Sequence, residues 1–115
     1  MISIVVNYKI PGNNISTIVG LEVKGHANSA PHGQDLVCAA VSAVVVGGAN
    51  AIMEQVNKNY HPDVNISLKE GHALFELSGT YTQESNKVQN TMKTILIMLK
   101  TIQESNPDFV KIKEK

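Results

Sequence analysis

The chain has 115 residues, with ten basic and ten acidic side chains, a formal net charge of zero and one cysteine. That length predicts one domain over residues 1–115, and the charge balance argues against a nucleic-acid or anionic-membrane partner. A lone cysteine forms no internal disulfide, which is typical of the cytoplasm. We expect residues 1–7 to form a strand rather than a signal peptide, and the apolar stretch at 39–46 to be too short to span a bilayer.

The first half of the sequence predicts a β-hairpin and then a long apolar helix. Alternating apolar residues predict strands over residues 2–8 and about 17–25. A helix should begin near Asp35, whose carboxylate is suited to cap a first turn, and end near residue 57. Its apolar and small residues occur on every side, so we expect this first helix to be central and buried. The Gly47-Gly48 pair inside it lowers helix propensity and therefore predicts a close backbone contact, with a dimer interface as the second interpretation.

The second half predicts another hairpin, a second helix and a final strand. Residues 64–68 and 73–77 alternate as two strands, and an apolar stripe indicates a helix over about 84–105 that Pro107 ends. Residues 109–112 predict a short strand before a charged, frayed tail. The order β-β-α-β-β-α-β favours an α+β domain, with a mainly antiparallel sheet packed against two helices.

Cys38 is the residue on which a functional interpretation depends. If Asp35 caps the helix, Cys38 occupies the third helical position, where free backbone amides and the helix dipole favour a thiolate. His26 lies at the end of the second strand, and the following loop is long enough to bring it over the helix start. A paired thiolate and imidazolium would attack a peptide carbonyl and protonate the leaving amine, with nearby amides binding the oxyanion. This is the layout of a cysteine protease.

Each of these residues also has a purely structural interpretation. A free cysteine is among the most buried residue types, so Cys38 followed by small apolar residues is compatible with core packing. His26 would then be a strand-end residue with its ring in water. Gly25 and Gly33 would serve loop geometry alone.

Two further residues near Cys38 are candidates for a supporting role. Asp35 either caps the helix or orients His26, and the cap is favoured because a carboxylate beside Cys38 would oppose thiolate formation. Ser42 lies one turn after Cys38, where a serine hydroxyl commonly bonds the carbonyl four residues back. That carbonyl belongs to Cys38, so Ser42 is expected to support the site.

The remaining histidines and the glycines point to no other chemistry. His32 is the alternative partner for the cysteine, although its place in a loop favours exposure, and His61 and His72 are expected at the surface. One cysteine and four dispersed histidines give no paired ligand spacing, so we predict no metal and no cofactor. The glycines lack the ending of a phosphate-binding loop.

A two-part signature in this region resembles the ribosomal-processing cysteine protease family, Prp. The signature reads Gly25-His26-Ala27 and Gly33-Gln34-Asp35-Leu36-Val37-Cys38-Ala39-Ala40-Val41-Ser42. Chain length, element order and the apolar helix after the cysteine are also similar to that family. The resemblance therefore extends over essentially the whole chain, although its specific motifs lie between residues 25 and 42.

The resemblance implies a cytoplasmic bacterial endopeptidase. It would remove a short N-terminal extension from large-subunit ribosomal protein twenty-seven, cutting after a hydrophobic stretch with paired aromatics. Cys38 would be the nucleophile and His26 its acid/base partner. Residues 27–34, which include Ala27 and Gly33, would form a mobile cover over the extended peptide, and the enzyme would be a homodimer.

Two other classes of function stay open at this point. The chain could be a non-catalytic peptide-binding or ribosome-assembly module, which would bind the same peptide and yield no product. It could also be a peroxide-sensing or thiol-transfer protein, although no second cysteine is present to resolve an oxidised Cys38 within the chain.

Overall fold

The structure is a computed structural model that describes residues 1–12, 17–27, 30–31, 35–56 and 61–115. Within these residues the chain forms five strands and two α-helices in the order β-β-α-β-β-α-β. Their bounds are β1 Ile2–Tyr8, β2 Ile18–Gly25, α1 Leu36–Gln55, β3 Val64–Lys69, β4 His72–Leu77, α2 Lys87–Ser105 and β5 Val110–Glu114. The predicted element order and α+β class are confirmed.

The five strands form one mixed sheet with the order β3-β4-β2-β1-β5. Pairs β1–β2, β2–β4 and β3–β4 are antiparallel, whereas β5 joins β1 in parallel. In β1 the side chains alternate between buried and more exposed, so one face of the sheet is covered. The buried face carries the core of the protein, and α1 and α2 pack against one another. A mainly antiparallel sheet with two packed helices was the predicted architecture.

Helix α1 begins where the sequence predicts, but it is not enclosed on all sides. Its buried residues follow one stripe: Val37, Val41, Val45, Gly48, Ala49 and Ile52. On the opposite side Leu36 is 81% and Val46 46% exposed. The prediction of a central, buried helix is therefore wrong for the single chain, because the sheet and α2 cover only part of the cylinder. The close contact predicted at the glycine pair is found at only one of the two residues. Gly48 lies against Ile95, whereas a Cβ on Gly47 would meet nothing within 4 Å.

The length of α1 also corrects an expectation about membranes. With 20 residues it is long and apolar enough to cross a bilayer by length and composition alone. The expectation that no stretch is long enough considered only residues 39–46, whereas the helix continues on both sides of them. A core helix of a soluble protein meets the same criterion, and α1 contributes one buried stripe to the core.

The C-terminal residues are held by the sheet rather than frayed. Strand β5 runs to Glu114 and pairs with β1 in register, and the Lys115 amide donates to the Val6 carbonyl at 2.8 Å. The Tyr8 hydroxyl donates to Glu114 at 2.6 Å. The predicted frayed tail is wrong because its alternate residues complete the edge of the sheet.

Candidate active site

Cys38 lies at the third position of α1, as the predicted cap requires. The Asp35 carboxylate accepts a hydrogen bond from the Cys38 amide at 3.0 Å, and Asp35 has the extended backbone of an N-cap residue. The Asp35 carbonyl accepts the Ala39 amide, also at 3.0 Å. Cys38 itself is half-buried. The thiol is therefore fixed at the positive end of a capped helix and is not sealed in the core.

The chain just after β2 lies directly against the sulfur of Cys38. The Ala27 amide donates to Cys38 Sγ at 3.1 Å, and Ala27 is only 2% exposed. An amide directed at sulfur supplies a hydrogen bond to a thiolate once one forms. Because Ala27 directly follows His26, this contact also brings the histidine backbone to the start of α1.

His26 is exposed and opens on the same cavity as Cys38. Its backbone carbonyl accepts a hydrogen bond from the Met1 amine at 2.6 Å. Between these two described residues, no hydrogen bond joins the imidazole to the thiol. The structure thus places the two side chains on one cavity with no hydrogen bond between them, an arrangement that suits a site whose hydrogen bonds tighten when substrate binds.

The cavity is a cleft between α1 and the β3–β4 hairpin, with a volume of about 570 Å³. Cys38, Ser42 and Val46 line it from the helix, and Leu68 and His72 line it from the hairpin. Its walls combine apolar side chains with the polar groups of the candidate site, as expected of a peptide-binding cleft.

The structure brings together most of the residues that the sequence singled out. His26, Cys38, Gly25, Asp35 and Ser42 all line the cleft. Ala27 contacts the sulfur through its amide instead. Gly33 and the alternative partner His32 lie outside the described residues, as do residues 28–29 of the loop.

Ser42 and the helix-start amides differ from their predicted roles. Ser42 is exposed, and its hydroxyl makes no hydrogen bond to the Cys38 carbonyl in the described chain. The amides of Cys38 and Ala39 are both already bonded to Asp35. An oxyanion donor supplied by either amide would therefore have to break a bond of the helix cap.

His72 and the turn before it were not singled out from the sequence. His72 Nε2 lies 2.7 Å from Glu22 Oε2, across neighbouring strands, and His72 lines the cleft. The hydrogen bond from His72 lowers the pKa of Glu22 below its ordinary value against a smaller opposing effect of desolvation, and Lys24 adds to the lowering. A single sequence carries no signal for this placement, because it depends on the pairing of β2 with β4.

A thiol at a helix start, an imidazole at a strand end and a cleft between them are the parts of a cysteine peptidase. A family model described as Cysteine protease Prp matches residues 1–111, and the chain belongs to that family. The protein is accordingly a cysteine protease, and the resemblance inferred from its motifs is confirmed.

Relatives and solved structures agree with that assignment. The ribosomal processing cysteine protease Prp of Bacillus subtilis is 36% identical over 96 residues, covering 83% of this chain and 84% of that protein. Its counterpart from Staphylococcus aureus strain Mu50 is 30% identical over 103 residues, covering 90% of this chain and 92% of that protein. The crystal structure of S. aureus Prp with a covalently linked product peptide matches over 100% of both chains, with a TM-score of 0.78 and 28% identity. A second S. aureus Prp structure, which holds a substrate peptide, matches with a TM-score of 0.74 and 25% identity over 100% of both chains.

Proposed function

We propose that this protein is a cysteine endopeptidase of bacterial ribosome maturation. Its substrate is the N-terminal extension of large-subunit ribosomal protein twenty-seven, and its residues 1–115 form a single cysteine-protease domain. The observation that carries the proposal is the capped, half-buried Cys38 opening on the same cleft as His26. The relatives named for ribosomal processing, and the S. aureus structure with a covalently linked product peptide, support the substrate class and a covalent mechanism.

Cys38 acts as the nucleophile in this mechanism. Its thiolate attacks the scissile carbonyl and forms a thioester, while His26 gives a proton to the departing amine. The helix start favours the anion on sulfur, and the Ala27 amide bonds to it at 3.1 Å. The tetrahedral intermediate is stabilised by donors that the cleft presents once the peptide is bound.

Hydrolysis of the thioester uses the same two residues in reverse. His26, now neutral, takes a proton from water, the hydroxide attacks the thioester carbonyl, and Cys38 leaves as the thiolate. Ala30, in the loop between His26 and Asp35, lines the cleft. We propose that residues 27–34 cover the bound peptide and exclude bulk water during acylation.

We also propose that the enzyme works as a cytoplasmic homodimer. The helical layer supports a second copy because it leaves large apolar side chains uncovered outside the cleft: Leu36, Ile97 and Met98. Sedimentation equilibrium should give twice the chain mass of 12.4 kDa. A monomer at all concentrations would remove this part of the proposal and leave the chemistry intact.

The test of the substrate and the acid/base residue is digestion of the precursor followed by N-terminal mapping. The wild-type enzyme should release one short N-terminal fragment, cut after its hydrophobic stretch. His26→Ala should lower the cleavage rate by at least about a hundredfold, since general acid–base catalysis contributes that much. His61→Ala is the matched control, because His61 packs on Tyr81 and does not line the cleft.

Two outcomes would contradict the proposal. An intact precursor after long incubation with active, folded enzyme would remove the substrate assignment and favour a different peptide. Equal cleavage by His26→Ala and His61→Ala would remove His26 from the mechanism.

A further inference from the structure

The ring of His26 packs on the turn between β3 and β4. A Cβ placed on Gly71 would lie 2.9 Å from His26 Nε2 and 3.4 Å from its Cε1. Real Cβ atoms essentially never approach another atom closer than 3.0 Å, so the imidazole occupies space that any side chain at Gly71 would take. Because the ring is exposed, burial does not hold it, and this contact limits where it can turn.

The same turn holds the backbone that carries the ring. The Gly25 amide donates to the Gly71 carbonyl at 2.9 Å, which extends the β2–β4 ladder beyond its last pair, Lys24 and His72. On the other side of the strand, the Met1 amine bonds the His26 carbonyl at 2.6 Å. The backbone at His26 is therefore fixed from both sides, and rotation about its side-chain bonds is the freedom that is left.

Gly71 has a backbone conformation that suits this role. Its φ is +71°, in the left-handed region, where a glycine pays no steric penalty. The carbonyl can then accept the Gly25 amide while the Cα faces the imidazole. Glycine is therefore favoured at position 71 for two reasons. The turn requires a positive φ, and the His26 ring occupies the space that a side chain would fill.

We propose that Gly71 is a positioning residue for the acid/base histidine, which rests on the proposed function of His26. The glycine limits the orientation of the imidazole by direct contact. Its carbonyl also holds the end of β2, which carries His26. The β3–β4 hairpin is thereby part of the catalytic geometry as well as a wall of the cleft.

The test compares Gly71→Ala with Gly12→Ala. Gly12 has a φ of +79°, close to that of Gly71, but a Cβ there would meet nothing within 4 Å. The two variants therefore share the backbone strain and differ in the contact with His26. We expect Gly71→Ala to lower kcat by about tenfold to a hundredfold, since a misplacement of about 1 Å is enough for such a loss. We expect Gly12→Ala to keep the wild-type kcat, with a similar fall in the denaturant midpoint for both.

A second measurement separates a displaced histidine from an obstructed cleft. Iodoacetamide is small, and Cys38 is the single cysteine, so the mass of the whole protein reports its alkylation. Iodoacetamide should alkylate Cys38 of Gly71→Ala and of Gly12→Ala at the wild-type rate, which would show that the cleft is open and the thiol is in place while kcat of Gly71→Ala is lowered. A rise in KM with unchanged kcat, or a fall in the alkylation rate as large as the fall in kcat, would mean that the added methyl group only obstructs the cleft, and would overturn the proposal.

The outcomes distinguish this inference from the proposed function. If His26→Ala is inactive while Gly71→Ala and Gly12→Ala have equal kcat, His26 is catalytic and Gly71 does not position it. If His26→Ala retains full activity, the proposed dyad itself fails, whatever the glycine variants show.

Discussion

At the scale of single residues, Asp35 is the side chain on which the site is built. Its carboxylate accepts the Cys38 amide and its carbonyl accepts the Ala39 amide, so one residue ends the loop and fixes the first turn of α1. This cap fixes the position of Cys38 in the first turn of the helix. Its effect on activity therefore acts through the position of Cys38.

Removing the cap should cost stability and activity together. We expect Asp35→Ala to lower the free energy of unfolding by about 1 kcal/mol, the usual cost of a lost N-cap, and kcat by roughly tenfold because the cysteine shifts. Asp35→Ser keeps a capping oxygen and should retain most of both. Urea unfolding and peptide cleavage measure the two effects.

The second helix supplies a matched control for this prediction. Asn86 caps α2 in the same way, through a hydrogen bond from the Val88 amide at 2.9 Å, and does not line the cleft. Asn86→Ala should lose a similar amount of stability and keep its activity. Equal loss of activity in both variants would show that general destabilisation, and not the position of Cys38, governs the rate.

The sequence was sufficient to predict the contacts of the site between residues close in the chain. It was insufficient to predict the contacts between residues far apart in the chain. The place of Cys38 in the helix follows from Asp35, three residues earlier, so capping rules predict it. The contact of Gly71 with His26 depends on the pairing of β2 with β4. No local propensity encodes such a pairing, and for that reason Gly71 and His72 were not found.

At the scale of elements, α1 illustrates a limit of composition. Its residues are apolar or small almost all round, which predicts enclosure, yet only one stripe is buried in the single chain. The apolar pattern indicates that the surface of α1 is suited to burial, but it does not identify the element that covers each face. The two glycines show the difference between the faces, because a Cβ added to Gly48 would collide with the Ile95 side chain, whereas a Cβ added to Gly47 would meet nothing within 4 Å.

Alanine at these two glycines should have opposite effects on stability. Gly47→Ala should raise the free energy of unfolding by up to about 1 kcal/mol through helix propensity alone. Gly48→Ala should lower it by about 1–3 kcal/mol, since its Cβ would lie 2.5 Å from Ile95 Cδ1 and overpack the α1–α2 contact. Both are measured by urea unfolding at one protein concentration.

A third variant checks the cause of the Gly48 effect. Ile95→Val removes the Cδ1 atom that the new methyl group would meet, so it should be less harmful in the Gly48→Ala background than in the wild type. Additive effects of the two substitutions would contradict the contact as the cause.

At the scale of the whole molecule, one carboxylate links the first strand, the last strand and the second helix. Glu114 of β5 accepts the Tyr8 hydroxyl of β1 at 2.6 Å and lies 3.1 Å from the Lys100 ammonium of α2. The Tyr8 hydrogen bond lowers the pKa of Glu114, with Lys100 adding to it, against the opposing effect of desolvation. Desolvation, and then the same hydrogen bond, raise the pKa of Tyr8 above its ordinary value of 10.0.

These shifts predict how stability changes with pH. Because the folded state lowers the pKa of Glu114, its contribution is present above the ordinary carboxyl pKa of 4.5 and is lost as the pH falls through the lowered value. Tyr8→Phe should lower the free energy of unfolding by about 1 kcal/mol near neutral pH and reduce its loss between about pH 5 and pH 3. Urea unfolding across that range is the measurement.

Tyr81→Phe is the control for this pH effect, because the Tyr81 ring makes an edge-to-face contact with His61 and its hydroxyl makes no hydrogen bond in the described chain. It should leave the pH dependence unchanged. An identical pH profile for wild type and Tyr8→Phe would contradict the role assigned to the Tyr8–Glu114 bond.

The order of the elements could be predicted from the sequence, but the order of the strands within the sheet could not. Alternation identified the first four strands, and turn residues paired β1 with β2 and β3 with β4. The parallel pairing of β5 with β1 brings together residues more than a hundred positions apart, such as Tyr8 and Glu114. Charged residues at the end of the chain predicted fraying, and their place at a sheet edge explains why they pair instead.

The most direct test of the central claim is cleavage of the ribosomal precursor by Cys38→Ala beside the wild-type enzyme. Cys38 is the one thiol of the chain, so its removal leaves no sulfur nucleophile. We predict that Cys38→Ala folds, as judged by circular dichroism and urea unfolding, and yields no product in the time that the wild type needs for complete conversion. Cleavage by folded Cys38→Ala at the wild-type rate and the same bond would contradict the claim.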